Sequence, residues 1–86
     1  MDISSLVVTD KLYFNPGIVT VYKAHCKDNP RKEYAVKEMY FRSPQEASEI
    51  IREAYAMNSL SHPYLIKIKG ITLWGNSVII LSLIHI

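Results

Sequence analysis

The sequence predicts an α+β fold: an antiparallel β-sheet of about five strands carrying one packed helix. Three observations predict it. Short β-prone runs recur along the 86 residues and are separated by turns rich in Pro, Gly and Asn. One segment, led by Ser43, repeats apolar residues at helical spacing. The composition, 49% hydrophobic and 21% charged, belongs to a globular chain and not to a disordered or fibrous one. At 86 residues it is one domain at most, or a piece of one.

Leu6 to Thr9 is a β-prone run, and Lys11 to Phe14 is compatible with another. Asn15-Pro16-Gly17 reads as a turn, because Pro fixes φ and Gly tolerates positive φ. Ile18 to Ala24 reads as a strand through Val19, Val21 and Tyr22. Asp28 to Lys32 is the next turn, and Tyr34 to Met39 a strand returning antiparallel to the last. Alternation puts Ala35 and Lys37 on one face and Tyr34, Val36 and Glu38 on the other.

The helix begins at Pro44. Ser43 is placed to cap it, and Glu46 stands three residues past the cap. Ala47, Ile50, Ile51, Ala54 and Asn58 form the stripe that can bury against the sheet. Glu46, Glu49, Glu53 and Met57 follow a neighbouring line, which places Glu53 at the border of the stripe on the packed side. Ser61-His62-Pro63 ends the helical region. Leu65 to Leu73 is a strand with partial alternation, Trp74-Gly75-Asn76-Ser77 a tight turn, and Val78 to Leu81 a nearly continuous apolar strand.

The net charge of +2 is too balanced to imply a nucleic-acid partner. Lys67 and Lys69, beside Trp74, read as a solvated sheet face. Cys26 is the single cysteine, which leaves no internal disulfide and no multi-cysteine metal site. A reducing compartment follows, and the expected localisation is cytoplasmic. Met1-Asp2-Ile3 opens no targeting segment. The apolar stretch from Val78 to Ile86 falls well short of the roughly twenty residues a membrane helix requires, so no membrane segment is expected.

Little in the chain suggests chemistry. His25, His62 and His85 are scattered over different elements and have no partners at metal-ligand spacing. No nucleophile elbow, triad or phosphate-cradling glycine loop is present. One pair is informative. Lys37 stands on a strand beside small Ala35, which leaves room for a flat ligand above the sheet. Glu53, on a helix docked against that sheet, can reach the ammonium. The pair reads either as a surface ion pair or as a device that holds Lys37 against a phosphate.

The order of these motifs resembles the N-terminal lobe of a eukaryotic protein kinase. Val21-Tyr22-Lys23-Ala24 resembles the strand after the glycine-rich loop. Tyr34-Ala35-Val36-Lys37 resembles the strand bearing the ATP-binding lysine. Glu53, with Leu60-Ser61-His62-Pro63-Tyr64-Leu65 after it, resembles the αC glutamate and the His-Pro beyond that helix. The resemblance covers residues 10–80, an incomplete protein kinase domain comprising the N-lobe. It implies that Lys37 contacts the α and β phosphates of ATP and that Glu53 pairs with it in the active state. It also implies that Val21 and Ala35 line the adenine pocket and that Met57 belongs to the hydrophobic spine. Mg2+ is expected only with the missing C-lobe, as is the protein substrate. The parent would transfer the γ-phosphate to protein Ser/Thr.

Two departures qualify that implication. The family's three loop glycines would fall at Phe14, Pro16 and Val19, and Gly17 is one place out. Weaker nucleotide binding follows, and with it the alternative of a pseudokinase or regulatory protein-binding lobe. Further, the chain has no His-Arg-Asp loop and no Asp-Phe-Gly, so this piece alone is expected to be inactive. An unrelated small α+β binding module is a third reading. Finally, Leu81-Ser82-Leu83-Ile84-His85-Ile86 resembles a translated sequencing adapter, so residues 81–86 are expected to be a non-native tail.

Overall fold

The computed structural model describes residues 5–58 and 68–83, apart from the side chains of residues 57, 58 and 83. Its elements run β1 (Leu6–Asn15), β2 (Val19–Cys26), β3 (Glu33–Tyr40), α1 (Pro44–Asn58), β4 (Ile68–Trp74) and β5 (Ser77–Leu83). The five strands form one antiparallel sheet in the order β1-β2-β3-β5-β4. This is the α+β architecture the sequence predicts. The central strand is β3, and α1 lies in the connection between β3 and β4.

The two β-prone runs at the start are a single strand. Its register slips between Val8 and Asp10 and again between Lys11 and Tyr13, which leaves Thr9 and Leu12 as extra residues against β2. Such bulges break the alternation and increase local twist, which is why the pattern reads as two fragments. The first hairpin turns at Pro16-Gly17. The Ile18 N–H donates to the Asn15 carbonyl at 3.0 Å, and Gly17 adopts φ +73°. Pro followed by a positive-φ Gly is the signature of a type II turn. In the β2–β3 turn, the Arg31 N–H donates to Asn29 Oδ1 at 3.3 Å and the Lys32 N–H to the Asn29 carbonyl at 3.0 Å, the Asx geometry that favours Asn there. The β4–β5 hairpin closes with Trp74 opposite Ser77, and Gly75, at φ +58°, holds the first central position, as a type II′ turn requires.

Helix α1 starts where the sequence places it. Ser43 Oγ accepts the Glu46 N–H at 3.2 Å, and the Ser43 carbonyl accepts the Ala47 N–H at 3.1 Å. The first bond satisfies one of the donors a helix start leaves free, and the second is the first bond of the helix ladder itself. Buried Ala47 and Ala54 then seat the helix on Val78 and Ile80, with Ile50, Ile51, Met39, Phe41, Ile68 and Ile71 packed around them. The strand that receives α1 is β5.

A second core lies on the far side of the sheet. Ala24, Tyr34, Val36, Ile79 and Leu81 are buried there, with Leu6, Tyr22 and Cys26 against them. All of these come from strands. Leu81 stands opposite Val36 and Ser82 opposite Ala35. Strand β5 therefore includes Leu81, Ser82 and Leu83, the first residues of the expected tail. Met57's side chain, Ser61-His62-Pro63 and residues 65–67 lie outside the described residues. Among those described, no helix is long and apolar enough to cross a membrane.

Candidate functional site

Directly paired residues of neighbouring strands point to the same face, so the register decides what stands beside Lys37. Across β2 its partner is Val21, and across β5 its partner is Ile80. Ile80 belongs to the core under α1. Lys37 therefore stands on the helix side of the sheet, in the central strand, one strand away from the helix seat. Ala35, two residues back, shares this side and is only half-buried. Val21, Ala35 and Lys37 thus form one continuous surface, with Lys37 exposed at its edge.

Glu53 is brought to the same side of the sheet but not to Lys37. It precedes buried Ala54 on α1 and is itself exposed, which corrects its expected place on the packed side of the helix. No ion pair joins Glu53 to Lys37. The reason lies in the seat of the helix. The alanines rest on β5, and β3 lies a strand spacing of about 4.8 Å beyond.

Among the described residues the ion pair on this side is Lys23–Glu33, with Nζ and Oε2 3.0 Å apart. Lys23 is the cross-strand partner of Ala35, so the pair borders the surface at the end away from Lys37. The Glu33 hydrogen bond and charge, with a smaller contribution from Asp10, hold the Lys23 ammonium above its ordinary range. An open cleft of about 290 Å3 follows this border, lined by Asp10, Lys23, His25, Pro30 and Glu33 among others. His25 Nδ1 lies 2.9 Å from the Cys26 carbonyl; a carbonyl only accepts, so Nδ1 carries the proton.

Two further residues on this side escape sequence reasoning. Tyr13 stands opposite Val21, and Asn15 opposite Val19. Counting by twos from Val21 would have found Lys23, and from Ala35 it would have found Glu33. Both lie on the hairpin side of the two bulges, in unbroken register with β2; they escape because Asn15 reads as a turn residue and Lys11 to Phe14 as a run separate from the strand it pairs with.

The arrangement offers a small-residue floor with a cation at one end and a salt bridge at the other, suited to a flat ligand bearing an anionic tail. Among the described residues no group of His, Cys, Asp or Glu could hold a metal ion. The family model described as protein tyrosine and serine/threonine kinase matches residues 17–85, which is most of the chain. No curated protein matches it.

Proposed function

Because the chain belongs to the protein tyrosine and serine/threonine kinase family, we propose that it forms the ATP-binding lobe of a protein kinase. Lys37 contacts the α and β phosphates, and Val21 and Ala35 cover the adenine. One observation supports this above others: Lys37, Val21 and Ala35 share the helix side of the central strands, beside the strand on which α1 rests. Phosphoryl transfer requires a catalytic Asp and metal-binding residues. The motifs that carry them do not occur in these 86 residues, so a second lobe supplies them and the Mg2+ they hold. The acceptor we assign to the parent is a protein serine or threonine hydroxyl. Glu53 joins Lys37 when α1 shifts from β5 toward β3, since a competent kinase needs that ion pair in place.

A second reading, a pseudokinase lobe with weak nucleotide binding, is favoured by the first hairpin. Pro16 has no N–H to offer a phosphate, and that of Ile18 is already donated to Asn15.

The test is ATP-dependent thermal stabilisation of the chain. The first reading expects ATP to raise the melting temperature, and Lys37→Met to abolish that rise while leaving the unliganded melting temperature unchanged, because Lys37 is exposed. An equal rise in Lys37→Met would remove the lysine from the site. No rise at all would favour the pseudokinase reading.

A further inference from the structure

The tip of the first hairpin keeps few free backbone donors: of Pro16, Gly17 and Ile18, Gly17 alone has an N–H with no partner among the described residues. Pro16 has none. The Ile18 N–H is spent on the Asn15 carbonyl at 3.0 Å. The side chain of Asn15, in contrast, is unengaged: no described residue accepts from or donates to its amide. It is half-buried, and its cross-strand partner Val19 is in turn the partner of Met39, two residues from Lys37 on the same face. At ordinary strand spacing and rise, Asn15 and Lys37 stand about 12 Å apart along that face, a gap a chain of phosphates can occupy.

We infer that Asn15 is a phosphate-positioning residue. Its side-chain NH2 donates to a phosphate oxygen of a nucleotide whose phosphates are also held by Lys37, and it takes the place of the donors this hairpin backbone lacks. The inference rests on the nucleotide-binding reading above and deepens it. An amide is suited to the task because it carries two donors and no charge. Asn also tolerates a position next to a tight turn. The isosteric Asp preserves that turn preference, removes the donors and adds a negative charge. Asn15→Asp therefore separates the ligand role from a folding role.

The experiment compares ADP with adenosine by calorimetric titration of the full chain and of its Asn15→Asp, Asn15→Ala and Lys37→Met variants. The expected result is a loss of ADP affinity of roughly tenfold or more in Asn15→Asp, and a smaller loss in Asn15→Ala, with adenosine affinity unchanged in both. Lys37→Met should likewise lower ADP affinity alone. If Lys37→Met erodes the preference for ADP while both Asn15 variants keep it, the Asn15 assignment falls and the nucleotide site stands. If the wild-type chain binds neither ADP nor adenosine, both fall together.

Discussion

Thr20 is 1% exposed, and its hydroxyl has no partner among the described residues. It lies on the far side of the sheet, in line with Tyr22 and Ala24. A buried hydroxyl without a hydrogen bond costs free energy that an apolar isostere avoids. Thr20→Val should therefore stabilise the fold by about 1 kcal/mol; a fall in the urea midpoint would show that the hydroxyl is satisfied in solution. Tyr34, also 1% exposed, neighbours Cys26, whose Sγ lies 3.9 Å from its Oη. Burial, then the hydrogen bond to Cys26, raises the Tyr34 phenol above its ordinary 10.0. The Lys23 ammonium is raised above its ordinary 10.5. In each case the unfolded chain loses its proton first. The contribution is whole below the ordinary value and is lost as pH climbs through the folded one. Stability should thus decline above pH 10, and Tyr34→Phe should flatten the decline. An identical slope of unfolding free energy against pH in the variant would show that Tyr34 does not contribute.

Among the elements, α1 was the most legible. Ser43, Pro44 and the spacing of Ala47, Ile50, Ile51 and Ala54 state its start and its buried stripe, and the structure agrees at each. Ser43→Ala should cost about 1 kcal/mol of stability, measured by denaturant titration; no loss would mean that water serves the freed N–H as well. The facing of β2 and β3 was equally legible, because their ladder has no register slip. Legibility failed in β1, where two bulges flip the parity. It also failed at Glu53: helical spacing gives its angle on the helix but not which strand receives the helix. That choice is made by the apolar faces of Val78 and Ile80, which lie far off in sequence. The first turn gives a further test. Gly17 holds φ +73°, and a Cβ there would meet nothing within 4 Å. The cost of Gly17→Ala is then purely conformational, about 1 kcal/mol. A much larger loss would imply crowding that the structure does not contain.

For the molecule as a whole, exposed apolar surface is the feature to weigh. Val8, Leu12, Phe14, Ile18, Leu73 and Trp74 are each more than half exposed. Five of these six lie on β1 or β4, the two strands at the sheet edges, and edges of this kind invite association. The chain should self-associate as its concentration rises, which sedimentation velocity would detect; a single monomeric species throughout would show that the edges are adequately guarded by their bulges. At the end of the sheet where these strands turn, two bonds straddle the entry to α1. The Tyr40 N–H donates to the Ile18 carbonyl at 3.0 Å, and the Phe41 N–H to the Asn76 carbonyl at 2.9 Å. Consecutive amides thus yoke one β-turn on each flank to the linker that feeds the helix. Any displacement of either turn is therefore passed to that linker through a joint only two residues wide.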